Sequence, residues 1–157
     1  MDIESAYDCI LREYVFHVLD RLGFGPIFLG MLGTLYSKLE AQVLFKGEEG
    51  GSFEMTNGLG QGDPLSPLLF AVAMLPLSKA INRTCTAYSS GRQEVELPPP
   101  NKCFADDVVA CINYSPENIR KYLEVFEEFG RVANLTIAMD KSTIALSKEK
   151  KLKSMTF

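Results

Sequence analysis

Two short acidic segments, far apart in the sequence, carry the residues best suited to metal-assisted chemistry. The first, residues 2–8, contains Asp2 and Asp8, and the second contains the adjacent pair Asp106 and Asp107 between apolar flanks. Neighbouring carboxylates repel each other unless a cation neutralises them, and carboxylate oxygens are the ligands that Mg²⁺ prefers. If strand ends bring Asp2 beside Asp106, the carboxylates could hold two ions that clamp the attacking and leaving oxygens of a phosphoryl transfer.

A glycine-rich loop is the third segment that could contact a ligand. Residues 57–63 precede Pro64, which suits the first turn of a helix. Gly60 and Gly62 flank Gln61 and allow the backbone to approach a ligand closely. Taken separately, the loop and the acidic pair are each more typical of an ordinary turn than of a site.

Composition and charge restrict the class of protein. The 157 residues are about one domain's worth of chain, and no apolar run approaches the ~18–20 residues that span a bilayer. Four cysteines without a C-x-x-C pair, and His17 as the one histidine, argue against a zinc site and against Cys-His catalysis. The net charge of −4, taken alone, speaks against a nucleic-acid binder.

Hydrophobic periodicity predicts the elements that position these residues. Helices are predicted over residues 5–22, 27–37 and 68–81, with a kink at Pro76, and from Ser115 onward. Strands are predicted over residues 39–45, 52–56, 102–104, 108–112, 135–138 and 143–146, and a turn between two further short strands at residues 89–91. The acidic pair then lies at the turn of a β-hairpin, and the whole is an α+β domain around one sheet.

Three motifs occur in a characteristic order along the chain. They read D-x-x-x-A-Y-D from Asp2, N-G-x-x-Q-G-D-P-L-S-P-L-L-F from Asn57 and F-A-D-D from Phe104. In this order they resemble the reverse transcriptase of non-LTR (LINE-type) retrotransposons, and residues 129–142 are similar to the motif that follows in that family. The resemblance runs from Asp2 to about Leu146. Group II intron maturases carry similar motifs, but the D-P-L-S-P-L-L-F string favours the retrotransposon branch.

The resemblance implies a fold and an activity. The fold would be the palm of a right-hand polymerase, a ferredoxin-like α+β subdomain with an antiparallel sheet backed by helices. The activity would be RNA-directed DNA synthesis, in which a primer 3′-hydroxyl attacks a deoxynucleoside triphosphate. Two Mg²⁺ ions, with Mn²⁺ as a substitute, would be held by Asp2, Asp106, Asp107 and the carbonyl group of Ile3.

The resemblance also implies roles in substrate binding. Tyr7 would lie under the incoming sugar and exclude a 2′-hydroxyl, whereas a core aromatic on the first turn of a helix is the alternative. Gln61 and Gly62 would contact the incoming nucleotide and the template base beside it. Phe104 and Ala105 would pack beneath the primer end.

Three further polar residues have expected roles. Lys141 resembles a lysine that would donate a proton to pyrophosphate, and a solvated lysine at a strand end is the alternative. Asp8 and Asp63 are expected to be structural, with Asp63 as a cap of the helix opened by Pro64.

The resemblance covers only part of a polymerase. Residues 1–147 are expected to form a partial palm and residues 148–157 a basic tail, in which the basic cluster at residues 148–153 is interpreted as a solvated helix end. The fingers and thumb, whose basic surfaces would grip the RNA template, DNA primer and deoxynucleotide, are expected in the rest of a longer retroelement protein, with an endonuclease common in the family. This accounts for the acidic charge. The family implies an intracellular protein of cytoplasm and nucleus, without a membrane partner.

Three functions therefore remain open from the sequence. The leading interpretation is a part of a reverse transcriptase that by itself has little or no activity. The alternative is a non-catalytic nucleic-acid or protein scaffold derived from a retroelement, and the third is a metal-binding domain without polymerase activity.

Overall fold

The fold alternates helices with short antiparallel strands. The computed structural model describes the backbone of residues 1–85, 101–104, 106–148 and 151–156. Side chains are described for residues 1–85, 101–103 and 106–145. Its helices are α1 (Ala6–Cys9), α2 (Arg12–Arg21), α3 (Pro26–Tyr36), α4 (Ser66–Ala73), α5 (Leu75–Thr84) and α6 (Pro116–Ala133). Its strands are β1 (Asp2–Glu4), β2 (Glu40–Phe45), β3 (Glu48–Glu54), β4 (Asn101–Phe104), β5 (Asp107–Ala110), β6 (Thr136–Ala138), β7 (Thr143–Lys148) and β8 (Lys151–Thr156). The predicted turn at residues 89–91 lies outside the described residues.

Four of the strands are joined edge to edge around β1. β1 pairs with β6 in antiparallel register, with Asp2 opposite Ala138, and β4 pairs with β5 as a hairpin. Backbone hydrogen bonds between Met1 and Val108 connect β1 to β5. These bonds bridge two two-stranded sheets, and the strands then lie in the order β6–β1–β5–β4, which matches the strand order of a ferredoxin-like sheet. The predicted α+β class, with antiparallel strands and helices, is confirmed. The expectation of one sheet is wrong, because β2–β3 and β7–β8 form separate two-stranded sheets, each from strands that are neighbours in sequence.

Helices cover this sheet and supply most of the core. α6 is strongly amphipathic and buries Tyr122, Phe126 and Phe129. It begins at Ser115, whose hydroxyl oxygen accepts a hydrogen bond from the Asn118 N–H at 3.1 Å. It ends at Asn134, whose left-handed backbone (φ 58°) closes the last turn.

Among the described residues, no helix combines the length and the apolar character needed to cross a membrane.

The segment predicted as one helix over residues 5–22 forms two helices. The backbone between them makes hydrogen bonds to distant parts of the chain instead of within a helix. The Ile10 carbonyl accepts the Gly58 N–H at 2.9 Å, and the Leu11 N–H donates to the Ala133 carbonyl at 3.1 Å. Ile10 is fully buried. These bonds satisfy groups that a continuous helix would have paired internally, and periodicity alone does not reveal them.

Two other predicted elements differ from the structure. The helix predicted over residues 68–81 begins at Ser66 and breaks at Met74, close to the predicted kink, since Pro76 has no N–H to continue the hydrogen-bond ladder. The interpretation of residues 148–153 as a solvated helix end is wrong: Lys151–Thr156 is strand β8, paired with β7. Pairing with β7 overrides the local charge pattern from which the tail was interpreted.

The end of α6 offers a stability test. A Cβ at Gly130 would collide with the Leu135 carbonyl oxygen, whereas Gly33 in α3 has open space around it. We expect Gly130→Ala to lower the free energy of unfolding by about 1–3 kcal/mol, and Gly33→Ala to raise it by up to about 1 kcal/mol through helix propensity. Urea denaturation measures both. Equal effects of the two substitutions would contradict the close approach at Gly130.

Candidate active site

The two acidic segments meet because β1 lies directly beside the β4–β5 hairpin. The Met1 ammonium donates to the Val108 carbonyl at 2.7 Å, and the Val108 N–H donates to the Met1 carbonyl at 2.8 Å. This reciprocal pair is the pattern of directly opposed residues in an antiparallel ladder. One step along the register, Asp2 therefore lies opposite Asp107, and the side chains of opposed residues emerge on the same face.

Asp2 is anchored by the turn after β6. Its N–H donates to the Ser142 hydroxyl at 3.4 Å, and this buried hydroxyl donates to the Ala138 carbonyl at 2.8 Å. Lys141, the residue before Ser142, places its Nζ 3.8 Å from Asp2 Oδ2. The Asp2 side chain is 23% exposed and that of Lys141 66% exposed, so the ion pair is open to solvent. Lys141 thus lies beside the first acidic segment, although it is 139 residues away in sequence.

The hairpin presents its own acids outward. Asp106 lies in the turn and Asp107 is the first residue of β5, and both are exposed. The backbone of Phe104 is opposite Asp107 in the ladder. The Phe104 side chain and Ala105 lie outside the part of the chain that is described. Ile3 is buried, and its backbone is opposite Ile137 in β6.

The carboxylate side chains of Asp2, Asp106 and Asp107 are of the chemical type that binds a hard divalent cation. Carboxylate oxygens are such donors, and the ammonium of Lys141 beside Asp2 balances part of the negative charge there. Within the described ranges, however, no group of three or more His, Cys, Asp or Glu side chains is gathered closely enough to hold a metal ion. The structure therefore brings the strands of Asp2 and Asp107 together without assembling a complete ligand cluster.

The glycine-rich loop docks on α1 through its backbone. The Leu59 N–H donates to the Tyr7 carbonyl at 2.7 Å, and the Leu59 side chain is fully buried. Gly58 has φ +81°, and a Cβ there would lie 2.7 Å from the Tyr7 carbonyl oxygen and 2.6 Å from that of Asp8. Only glycine fits this approach, because it combines a positive φ with no side chain.

This docking places the predicted nucleotide-binding residues on one local surface. Tyr7 is half-buried and its ring stacks on Phe70 with a centroid separation of 4.7 Å. The Gln61 amide donates to both carboxylate oxygens of Asp8 at 3.2 Å. Gly62 has φ +87° and open space around it. Asp8, expected to be structural, is therefore the partner that orients Gln61.

The far end of the loop is fixed by Asp63. Its carboxylate accepts hydrogen bonds from the Tyr36 hydroxyl at 2.6 Å, the Ser66 hydroxyl at 3.2 Å and the Leu65 N–H at 3.0 Å. The Tyr36 hydrogen bond is the main cause that lowers the pKa of Asp63. Burial, followed by the Asp63 hydrogen bond, raises the pKa of Tyr36. Asp63 thus organises the start of α4, as a cap would, from a position before the helix begins.

Sequence analysis did not identify Arg12. Its side chain, half-buried at the start of α2, donates to three backbone carbonyls, including that of Gly58 at 2.8 Å. An arginine in a helix has no distinguishing pattern in sequence. The one available signal is that Arg12 follows the D-x-x-x-A-Y-D motif by four residues.

Comparison with known proteins agrees with this arrangement. The family model described as "Reverse transcriptase (RNA-dependent DNA polymerase)" matches residues 1–157. A curated relative, the "Transposon TX1 uncharacterized 149 kDa protein" of Xenopus laevis, is 28% identical over 109 residues. The match covers 69% of this chain and 8% of that relative's length.

The chain belongs to the reverse transcriptase family of RNA-dependent DNA polymerases. The transposon relative agrees with the non-LTR retrotransposon branch that the motifs indicate. The family predicted from the motifs is confirmed, and the roles of individual residues remain predictions.

The Tyr36–Asp63 hydrogen bond gives a pH prediction. A carboxyl group whose pKa is lower in the folded state contributes stability above its unfolded pKa, and this contribution is lost as the pH falls through the folded value. At pH 6 we expect Tyr36→Phe to lower the free energy of unfolding by about 1–2 kcal/mol. The difference from wild type should shrink below about pH 4, where an aspartyl carboxyl group in the unfolded chain begins to take up a proton.

Urea denaturation between pH 6 and pH 3 checks this prediction. Tyr114→Phe is the matched control, because the Tyr114 side chain is exposed. A Tyr36→Phe difference that stays constant across the pH range would contradict the role of the Asp63 carboxylate.

Proposed function

We propose that this chain is the catalytic palm of a retrotransposon reverse transcriptase, which extends a primer 3′-hydroxyl with deoxynucleotides on an RNA template. The observation that carries the proposal is the pair of hydrogen bonds between Met1 and Val108, which sets Asp2 opposite Asp107. Family membership supports the class of reaction. The same proposal covers the activity and partners of the whole protein. It also places that protein inside the cell, in the cytoplasm and nucleus.

In this proposal, Asp2, Asp106, Asp107 and the Ile3 carbonyl hold the divalent ions, Mg²⁺ or Mn²⁺. Ions of this kind, when bound, would supply positive charge that stabilises negative charge on the attacking oxygen and on the leaving pyrophosphate. The carboxylates orient that charge and keep it at the edge of the sheet, so that most of the catalysis is positioning. Their location is supported by the exposure of both hairpin acids at the turn.

The remaining residues act on the substrates. Tyr7 lies under the incoming sugar and excludes a 2′-hydroxyl, and its stacking on Phe70 supports a fixed ring at that position. Gln61 and Gly62 contact the nucleotide and the template base. Lys141 holds a proton at Nζ for the leaving pyrophosphate, and its proximity to Asp2 supports this role.

The primer-binding part of the proposal concerns the hairpin. Phe104 and Ala105 support the primer end from the residues directly before the acidic pair. The rest of a longer retroelement polyprotein, with its fingers, thumb and any endonuclease, supplies the basic surfaces for template and primer. The charge of −4 on this chain is consistent with that division.

Primer extension on an RNA template, by the longer protein that contains this chain, tests the reaction. We expect Asp106→Asn to reduce extension by about 10²-fold or more, the scale of losing a preorganised charge-stabilising group. Asp20→Asn, at an exposed position of α2, is the matched control and should retain wild-type activity. No extension by the wild-type protein would favour a non-catalytic scaffold.

Calorimetric titration with Mg²⁺ and Mn²⁺ tests metal binding on the 157-residue chain itself. We expect measurable binding by wild type and Asp20→Asn, and a clear loss of affinity in Asp106→Asn. Binding that is unchanged in Asp106→Asn would remove this carboxylate from the metal site. Metal binding by a protein without any extension would favour a metal-binding domain that lacks polymerase activity.

Tyr7 offers a separate test of sugar selection. Tyr7→Ala removes the ring and should raise the ratio of ribonucleotide to deoxynucleotide incorporation about tenfold or more, a steric discrimination of ordinary size. Tyr7→Phe keeps both the ring and its stacking on Phe70, and should keep the wild-type ratio. Competition between the two nucleotides in primer extension measures it. An unchanged ratio in Tyr7→Ala would refute the role of Tyr7 in excluding the 2′-hydroxyl.

A further inference from the structure

Arg12 connects three carbonyl groups that lie far apart in sequence. Its Nε donates to the Gly58 carbonyl at 2.8 Å, one Nη to the Tyr36 carbonyl at 3.0 Å and the other to the Asn57 carbonyl at 3.1 Å. All three nitrogens of the guanidinium are therefore used. One planar side chain joins the start of α2, the end of α3 and the beginning of the glycine-rich loop.

These bonds act where the loop docks on the first acidic segment. Gly58, whose carbonyl Arg12 holds, donates its own N–H to the Ile10 carbonyl at 2.9 Å, and Leu59 donates to Tyr7. Gln61 follows two residues later and is bonded to Asp8. The position of Gln61 relative to Tyr7 therefore depends on backbone contacts that Arg12 fixes from the opposite side of the loop.

Tyr36 links Arg12 to the far end of the same loop. The guanidinium lies over the Tyr36 ring, 5.7 Å from its centroid, and the hydroxyl of that ring donates to Asp63. Tyr36 is buried. Arg12 and Tyr36 together hold residues 57–63 at both ends, and leave Gln61 between the two points of attachment.

The surroundings of Arg12 require a guanidinium rather than any positive charge. Burial lowers the pKa of Arg12, and its described hydrogen bonds are all to carbonyl groups. A planar group with donors in three directions satisfies this arrangement, whereas a lysine ammonium on a flexible stem does not reproduce it. The geometry, more than the charge, is what the site uses.

We propose that Arg12 is a positioning residue that fixes the glycine-rich loop on α1 and thereby sets Gln61 for nucleotide binding. The structural part of this inference concerns the loop alone. The part about nucleotide binding rests on the proposed function. The two parts are separable by experiment, because loop protection is measured on the chain without substrate.

Hydrogen exchange of the 157-residue chain tests the structural part. Arg12→Met and Arg12→Lys should both accelerate exchange of the Gly58 and Leu59 amides about tenfold or more, because local opening of the loop becomes easier. Amides in the middle of α6 should be unaffected. Arg21→Met, at an exposed position in the last turn of α2, is the control. Wild-type protection of Gly58 and Leu59 in Arg12→Met would overturn the proposal.

Primer extension by the longer protein tests the part about nucleotide binding. The measured quantities are KM for the deoxynucleotide and kcat, each compared with wild type. Arg12→Met should raise KM for the deoxynucleotide about tenfold and change kcat by less. A merely structural defect would lower kcat per total protein and leave KM unchanged, which would overturn the positioning role. If the wild-type protein does not extend a primer, the proposed function fails, and the exchange result still decides whether Arg12 fixes the loop.

Discussion

The candidate site depends on the pairing of β1 with strands on both of its sides. β1 is three residues long, and its neighbours β6 and the β4–β5 hairpin come from much later in the sequence. Each backbone hydrogen bond in this arrangement contributes only about 1 kcal/mol net. Burial of Ile3 and Val108 in the common core adds the apolar contribution that such a short strand lacks. The opposition of Asp2 and Asp107 is thus maintained by the whole sheet rather than by the acids themselves.

A second surface is fixed in the same way, by backbone contacts rather than by functional side chains. The loop of residues 57–63 docks on α1 where Gly58 approaches the Tyr7 and Asp8 carbonyls. α1 directly follows β1, so the loop and the acidic strand share one short segment of chain. Because β1 and α1 are consecutive, Tyr7 and Asp8 lie within six residues of Asp2. A small displacement of that segment would move Asp2, Tyr7 and Asp8 together.

Local signals in the sequence predicted much of this arrangement. The motifs identified the family, and the short apolar segments on both sides of Asp106 and Asp107 predicted the hairpin on which they lie. Long-range contacts account for what was missed: the break after Cys9 arises from bonds of Ile10 and Leu11 to distant carbonyl and amide groups. The sequence did not identify Arg12, because its hydrogen-bond partners are main-chain carbonyl groups, which no pattern of side chains reveals. The tail was misinterpreted because its charges are local, whereas its pairing with β7 is not.

The most direct test of the central claim is whether one divalent ion senses both acidic segments at once. Mn²⁺ broadens the NMR signals of nearby nuclei, so a titration of the 157-residue chain can follow the amides of residues 2–3 and 106–108 together. If the two acidic segments converge, both sets broaden with a single apparent affinity, and Mg²⁺ reverses the effect. Broadening confined to the hairpin, with residues 2–3 unaffected, would contradict the convergence of Asp2 with Asp106 and Asp107.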